Sequence, residues 1–326
     1  MDVIRNLLES DWRLPASVVG VGTFDGVHVA HQALLRTVAG QARALGVPSV
    51  VLTFDPHPME VLRPGFAGRL LSAQRKLVEI GRAGVDTAIV LPFSLEFART
   101  EPEDFVDELL LGRLGAREVV VGFNFTFGYR ARGTPHLLEE LGERNGFVTH
   151  VVAPYTLQGE PVSSSAIRQL LAKGDVEGAA RLLGRLYALE GDVVRGEGRG
   201  RQLGFPTANL QVVPDNAVVP GRGVYAGTAT LEGGETHGCA INVGNAPTFG
   251  DGLHRVEVHL LDFSGELTGR RLRVQFRRRL RDERAFADGQ ELAEQIRRDV
   301  AASRLPSSAP IHTPARPAGA LRSVAP

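Results

Sequence analysis

The feature that most constrains the fold of this chain is a change in hydrophobic pattern near residue 186. Before it, short uninterrupted apolar runs alternate with amphipathic stretches. Such runs, separated by helices, indicate a parallel sheet that is covered on both faces. After it, apolar and polar residues alternate along short segments with glycine-rich turns between them, which is typical of an antiparallel barrel. We therefore predict the α/β class, with an N-terminal doubly wound parallel sheet (Rossmann-like) and a C-terminal antiparallel β-barrel with a terminal helix.

These patterns divide the chain into an N-terminal domain at residues 1–185, a barrel domain at 186–305 and a proline-rich tail at 306–326. We expect the tail to be disordered, because it has no apolar period. In the N-terminal domain the predicted strands are 17–21, 49–54, 87–91, 118–122 and 148–152, and the predicted helices lie near 32–45, 73–83, 102–112 and 135–145. In the barrel domain the predicted strands are 187–194, 223–231, 237–244, 255–263 and 270–276, followed by a helix over 289–303.

The composition of the chain argues against several classes of protein. Its 326 residues include 37 basic and 37 acidic side chains, so no net field attracts nucleic acid or an anionic membrane. The single cysteine, Cys239, excludes an internal disulfide and a multi-cysteine zinc site. No apolar run reaches the ~18 residues of a membrane helix, and the acidic N-terminus lacks a signal-peptide core.

We therefore expect a cytoplasmic protein that is a monomer or a weak homo-oligomer, with no nucleic-acid partner and no membrane partner. The arginine run at 277–281 does not change this expectation, because no aromatic platform accompanies it. We interpret the run as a solvated strand end.

One segment, VVGVGTFDGVHVAHQALL at residues 18–35, permits three interpretations. The first is a dinucleotide-binding turn. Gly20, Gly22 and Gly26 follow a predicted strand, but their spacing is one residue longer than the fingerprint requires. Asp25 also stands where a small residue would have to pack. Both departures argue against a dinucleotide site.

The two histidines of this segment, His28 and His31, permit a metal site or a phosphate site. With His57 as a third ligand they could bind a metal, but no H-E-x-x-H pattern or nearby cysteine supports this, and helix capping is a simpler explanation. Alternatively, a helix that begins at a strand end binds anions, because its free N–H groups and its dipole favour negative charge. The imidazoles could then stabilise charge on a phosphoryl group under attack.

A second group of phosphate-binding side chains follows later in the same domain. Ser163, Ser164 and Ser165 precede a predicted helix, and Arg168 lies one turn further along it. Hydroxyls, backbone N–H groups and a guanidinium fork all suit phosphate oxygens. Two such groups at the strand ends of one sheet would suit a triphosphate.

The barrel domain contains a glycine-rich segment, RGEGRGRQLGFPTANL, at residues 195–210. Its glycines could form an arch whose N–H groups approach phosphate oxygens. Thr207 and Asn209 would lie on one face of a strand, and their oxygens suit Mg²⁺. A glycine hairpin that the same two side chains stabilise explains the segment equally well. Glu257, on the same side of a later strand as Arg255 and His259, would by itself be a solvent-facing carboxylate.

Four blocks in order give the N-terminal domain a specific resemblance. GTFDGVHVAH, TFDPHP, VGFNFTFGYRARGT and VSSSAIR resemble segments of the adenylyltransferase domain of bifunctional riboflavin kinase/FAD synthetases. The resemblance implies that His28 and His31 bind ATP phosphates and stabilise the transition state. It implies that Asp25 organises the loop or faces the nucleotide. It further implies ATP or phosphate binding by Gly22, Phe24, Asp25, Ser164, Ser165 and Arg168, and FMN binding by Asn124 and His57.

The barrel domain resembles the riboflavin kinase domain of the same family. GFPTAN and the later PTF and VEVHLLDF segments resemble its signatures, and the match covers about residues 186–303. The resemblance implies that Glu257 takes the proton from the riboflavin 5′-hydroxyl, while Thr207 and Asn209 bind Mg²⁺. The residues that it implies for ATP or flavin binding are Gly196, Gly198, Gly200, Arg201, Gly204 and Pro206.

Together the resemblances imply a bifunctional enzyme with riboflavin, FMN and ATP as substrates. It would phosphorylate riboflavin to FMN and adenylylate FMN to FAD. Two alternatives are a regulatory flavin-binding module and a monofunctional kinase with a non-catalytic N-terminal domain. Ala30 replaces a glycine of the family pattern, and Phe123 replaces a residue that is more often acidic. Both substitutions concern the adenine pocket more than the reaction type.

Overall fold

The computed structural model describes residues 1–66, 68–196, 200, 204–245, 254–304 and 322–323. These residues form two compact units. The first unit comprises Met1–Phe66, Ala73–Ser163 and residues 322–323, and the second comprises residues 68–72 and 164–304. Apart from residues 322–323, the predicted tail at 306–326 lies outside the described residues.

The first unit is built on a parallel sheet of six strands. The strands are β1 (Asp2–Ile4), β2 (Ser17–Val21), β3 (Ser49–Phe54), β4 (Thr87–Leu91), β5 (Ala116–Gly122) and β6 (Val148–Val152). Their order in the sheet is β1-β4-β3-β2-β5-β6, and a short antiparallel strand, Arg322–Ser323, pairs with β6. Every residue of β2, β3 and β4 is buried, as expected for a sheet covered on both faces. The predicted parallel sheet is confirmed.

Helices connect these strands. They are α1 (Val29–Leu45), α2 (Pro58–Leu62), α3 (Ala73–Gly81), α4 (Pro102–Asp104) and α5 (Pro135–Asn145). The predicted helix near 102–112 is an α-helix only over α4, because the chain continues as a π-helix over Phe105–Arg113. The packing of α1 on β2 is close, since a Cβ atom at Gly20 would lie 2.7 Å from Val38 Cγ2. A two-stranded hairpin, β7 (Thr156–Leu157) and β8 (Glu160–Pro161), follows β6.

The second unit begins with two helices and continues as a closed antiparallel barrel. The helices are α6 (Ser164–Ala172) and α7 (Val176–Leu183). The strands are β9 (Tyr187–Val194), β10 (Ala208–Val212), β11 (Gly223–Leu231), β12 (Thr236–Asn245), β13 (His254–Leu260) and β14 (Arg271–Arg281), and α8 (Gly289–Ser303) follows them. They close in the order β10-β13-β12-β11-β14-β9. The predicted barrel and terminal helix are confirmed.

Alternation along the barrel strands separates the core from the surface. In β9, Tyr187, Leu189, Gly191 and Val193 are buried, and the residues that alternate with them are more exposed. In β14, Leu272 and Phe276 are buried in the same way. This two-residue period is the pattern on which the sequence prediction depended.

Two hydrogen bonds attach the helix pair to the barrel within the second unit. Gly221 N donates to Leu171 O at 2.8 Å, and Arg279 Nη1 donates to Lys173 O at 3.0 Å. Residues 164–183 therefore group with the barrel, whereas the hydrophobic pattern placed them in the N-terminal domain. The domain boundary near residue 185 stays a prediction.

The arginine run at the end of β14 is engaged inside the second unit. Arg281 forms a bidentate ion pair with Asp299 of α8, with an Nη2–Oδ2 distance of 2.7 Å. Arg278 Nη2 donates to Ala302 O at 2.8 Å. The interpretation of this run as a solvated strand end was wrong for Arg278 and Arg281, because these two side chains bind the terminal helix. Within the described residues, no helix combines the length and apolar character needed to cross a membrane.

Candidate active sites

The loop between β2 and α1 has an unusual backbone. Gly22 N continues the sheet by donating to Leu52 O at 3.1 Å. Beyond it, Phe24, Gly26 and Val27 have φ values of +50°, +80° and +38°. Left-handed backbone at a non-glycine residue is strained, and it persists only where the surrounding packing enforces it. Phe24 and Val27 are almost completely buried, so their side chains supply that packing.

This loop places the two histidines at the start of α1. His28 is the N-cap residue, and its Nδ1 accepts a hydrogen bond from His31 N at 3.3 Å. The two imidazole rings stack with centroids 3.6 Å apart, and Phe24 meets His31 edge-on at 5.3 Å. Because Nδ1 of His28 accepts, the neutral ring carries its proton on Nε2 and can donate from there. Helix capping and phosphate binding by His28 are therefore compatible.

The structure also shows the surroundings of three further residues of the opening segment. Asp25 is 4% exposed, which fits a role in organising the loop. A Cβ atom at Gly22 would lie 3.1 Å from the Phe24 ring, tighter than ordinary contact. Ala30 lies in the first turn of α1 and is half-buried, so its backbone is helical and needs no glycine.

His57 and Asn124 lie at the ends of the two strands that flank β2. His57 is the N-cap residue of α2, just after β3, and its Nδ1 accepts from Met59 N at 3.1 Å. Asn124 follows β5, beside Phe123, which is 51% exposed. Since β3 and β5 both pair with β2, these residues and His28 share one edge of the sheet. At this edge the strand order reverses between β2 and β5. Ligands of such sheets bind at a reversal of this kind.

Lys76 is a residue of this edge that the sequence analysis missed. It lies on α3, and its Nζ donates to Phe54 O at 2.8 Å and to Thr23 O at 3.2 Å. The amphipathic pattern predicted the helix but gave no sign that one of its lysines is buried against two strand ends. The fact that Lys76 is one of only two lysines in the chain was the available signal.

The serine-rich segment belongs to the second unit. Ser164 and Ser165 form the start of α6, and Arg168 follows one turn later. Arg168 Nε donates to Gly68 O at 2.8 Å, so part of its guanidinium binds backbone of the same unit. The phosphate-binding roles of these three side chains stay predictions.

In the barrel, Asn209 and Glu257 lie next to each other, and Arg255 contacts both. Asn209 of β10 and Glu257 of β13 are directly paired in the register of the two strands. Arg255 Nε donates to Asn209 Oδ1 at 3.0 Å, and its Nη2 lies 3.0 Å from Glu257 Oε1. The side chains of Arg255 and Glu257 are 27% and 24% exposed. The prediction that they share a face is confirmed, and Arg255 is a second residue whose contact with the site was missed.

The described part of the glycine-rich segment packs against these residues. A Cβ atom at Gly196 would collide with the Asn209 amide, and one at Gly200 would lie 3.3 Å from Thr207 Oγ1. Gly204 has a φ of +84°, which favours glycine. Gly198 and Arg201 lie outside the described residues.

A third contact joins this segment to β13. The Pro206 carbonyl lies 2.8 Å from His259 Nδ1, within hydrogen-bond distance. His259 is the residue that was predicted to share a face with Glu257 and Arg255. The glycine-rich segment and β13 therefore meet at the face that holds Glu257.

Thr207 and Asn209 offer neutral oxygens, and their predicted role is to bind Mg²⁺. Hard oxygen ligands of this kind suit Mg²⁺, which obtains its remaining ligands from water and phosphate. In the structure Asn209 Oδ1 accepts a hydrogen bond from the cationic Arg255, which would have to release this oxygen before it could bind a cation. The Mg²⁺ role of the two residues stays a prediction.

Comparison with known proteins gives a match to each half of the chain. A model of the FAD synthetase family matches residues 11–166, and a model of the riboflavin kinase family matches residues 183–305. A solved structure described as a macrolide-efflux protein from Streptococcus pneumoniae has a TM-score of 0.84 and 31% identity. That match covers 94% of this chain and 100% of the other.

Three similar curated proteins are each named bifunctional riboflavin kinase/FMN adenylyltransferase. The one from Pseudomonas fluorescens is 39% identical, over 93% of this chain and 97% of its own length. Those from Bacillus subtilis and Escherichia coli K12 are 36% and 35% identical, over 87% and 88% of this chain. The matches cover 90% and 91% of those two proteins. Similarity therefore extends over both units.

Proposed function

This chain belongs to the family of bifunctional riboflavin kinase/FMN adenylyltransferases, and we propose how its residues perform the two reactions. The protein is an ATP-dependent kinase and nucleotidyltransferase: it converts riboflavin to FMN, and FMN to FAD. We assign one reaction to each unit, because the proposed catalytic residues are distributed between them. His28 and His31 lie in the first unit, and Asn209 and Glu257 lie in the second.

In FAD formation, a phosphate oxygen of FMN attacks the α-phosphorus of ATP, and the bond to diphosphate breaks. No protein nucleophile is required, so catalysis consists of positioning and charge stabilisation. We assign the stabilisation to His28 and His31, whose rings stack at the positive end of α1. We propose that His57 and Asn124, on the same sheet edge, bind FMN.

In FMN formation, the riboflavin 5′-hydroxyl attacks the γ-phosphorus of ATP, and ADP leaves. Glu257 accepts the hydroxyl proton, and its ion pair with Arg255 fixes the direction of the carboxylate. Thr207 and Asn209 would bind Mg²⁺, which when bound neutralises charge on the ATP phosphates. Gly196, Gly200 and Gly204 would let the backbone of this segment approach those phosphates, because glycine has no Cβ atom.

The test is to incubate the purified protein with riboflavin, ATP and Mg²⁺ and to separate the flavins by reversed-phase HPLC. We expect FMN to appear first and FAD to follow, and added FMN to give FAD without a lag. A product mixture that stops at FMN would favour the monofunctional kinase, and no flavin product would favour the regulatory module. Omission of Mg²⁺, with EDTA present, should abolish FMN formation. From the composition we also propose a cytoplasmic location.

A further inference from the structure

The basic residues of this chain are almost all arginine. Of 37 lysine and arginine residues, only Lys76 and Lys173 are lysines. Lys173 is exposed, whereas Lys76 is 8% exposed on the inner side of α3. Lysine is rarely buried, because removal of its ammonium from water is costly unless hydrogen bonds replace the water. This buried position therefore has a lysine, although almost all other basic residues of the chain are arginines.

The geometry around Lys76 explains why an ammonium suits this place. Its Nζ donates to Phe54 O at 2.8 Å, to Thr53 Oγ1 at 3.1 Å and to Thr23 O at 3.2 Å. Thr53 Oγ1 in turn donates to Thr23 O at 3.1 Å. An ammonium offers three donors in a compact tetrahedral arrangement, whereas a guanidinium is a larger planar fork. Three converging oxygens therefore match lysine and not arginine.

The oxygens that Lys76 binds belong to two strand ends of the proposed FAD-forming site. Thr23 directly precedes Phe24, where the strained backbone begins that leads to His28. Thr53 and Phe54 end β3, and His57 follows three residues later. A strained loop keeps its shape only where its surroundings enforce it. Lys76 supplies such a constraint, because its hydrogen bonds join the start of the loop to the end of β3.

We propose that Lys76 is a positioning residue for adenylyl transfer, a proposal that rests on the proposed function. It fixes the spacing between the loop that presents His28 and His31 and the strand end that presents His57. Because reaction rates depend on placement within about 1 Å, loss of this tie should lower the turnover number of FAD formation by about 100-fold. Riboflavin phosphorylation depends on other residues and should not change.

The experiment compares Lys76→Met, Lys76→Arg and Thr53→Val with the control Lys173→Arg. We expect both Lys76 variants to lose most of the kcat for FAD formation, because methionine has no donors and arginine does not fit. Thr53→Val removes one neutral hydrogen-bonding group and should lower the same kcat by roughly two- to tenfold. Lys173→Arg should match the wild type, and all four variants should phosphorylate riboflavin normally.

The only tryptophan, Trp12, packs against the core of the first unit, so its fluorescence reports the folding of that unit. Activities are measured well below the unfolding temperature that this signal gives. A Lys76→Met protein that is less stable but has wild-type kcat and KM for FAD formation would overturn the proposal, as would full activity of Lys76→Arg. If Lys76→Met does not fold, Thr53→Val decides, and an unchanged kcat there refutes the proposal. Failure of the proposed function is distinct, since the wild type itself would then make no FAD.

Discussion

The two proposed sites of this protein are built in opposite ways. In the first unit, His28 and His31 follow a loop with left-handed residues, and His28 caps the helix that begins there. A buried lysine donates a hydrogen bond to the backbone at the start of this loop. In the second unit, Asn209 and Glu257 owe their positions to the regular register of two paired strands. A site on regular strands is fixed by the whole barrel, whereas a site on a strained loop depends on a few local contacts. The two sites should therefore respond differently to substitution.

The largest expected effect separates the two activities. His31→Ala should lower FAD formation by roughly 100- to 1000-fold and leave FMN formation intact, because it removes a donor to developing charge. Glu257→Ala should lower riboflavin phosphorylation by roughly 100- to 10,000-fold, because it removes the general base, while added FMN is still adenylylated. Both activities are measured by HPLC on the same preparations.

Matched controls for this pair are available at exposed positions. His136→Ala and Glu235→Ala remove side chains that lie 80% and 62% exposed in other ion pairs. Neither variant should alter either reaction. If a folded His31→Ala or Glu257→Ala protein lost both activities, the assignment of one reaction to each unit would be wrong.

The second prediction concerns the extent of the barrel unit. A fragment of residues 164–304 should be more stable than one of residues 186–304 by about 2–4 kcal/mol, because α6 and α7 bury apolar side chains. Their hydrogen bonds to Gly221 and Arg279 would also be lost in the shorter fragment. Urea unfolding of both fragments, with kinase assays, measures the difference. Equal stability would support the boundary at residue 185, and a folded fragment without kinase activity would contradict the site assignment.

The third prediction tests whether the site on the barrel strands also depends on the contacts that Arg255 makes there. Arg255→Gln removes the cation that joins Asn209 and Glu257, and it should lower kcat/KM for riboflavin phosphorylation by about tenfold. Arg273→Gln is the matched control, since the Arg273–Glu190 pair has similar exposure but lies on strands β14 and β9. FAD formation should be unchanged in both. Equal losses in the two variants would show that Arg255 acts only through barrel stability.

The same contrast explains how much the sequence could predict. Fully apolar runs gave the central strands β2, β3 and β4 with their observed bounds, because burial on both faces leaves a strong local signal. The strand β1 was missed, since it has three residues and is largely exposed. Strand alternation also placed Arg255 and Glu257 on one face. The link from Arg255 to Asn209 could not be predicted, because it depends on the register between two strands.

In the first unit the motif identified His28 and His31, but not the means by which they are held. Nothing in the identity of Phe24 or Val27 indicates left-handed backbone, since neither residue favours it. The role of Lys76 depends on contacts with residues that lie 22 and 53 positions away in the chain. Such long-range contacts are products of tertiary packing and leave no local pattern. The surroundings of a residue can therefore be predicted from the sequence more readily when the residue lies on a regular strand than when it lies on an irregular loop.

The smallest expected effect concerns Ala30, where the strained loop has already become regular helix. Since Ala30 has helical backbone, glycine there removes a half-buried methyl group and adds chain flexibility. Ala30→Gly should lower stability by roughly 0.5–1 kcal/mol. If the methyl crowds the adenine, the KM for ATP in FAD formation should fall by up to about fivefold, because the relief of mild overpacking is small. Ala33→Gly, in the same helix and similarly half-buried, should lose stability without this change in KM. Kinase activity should be untouched in both. If the wild type made no FAD and Ala30→Gly did, the methyl group would be a block, and the first unit would be inactive as it stands.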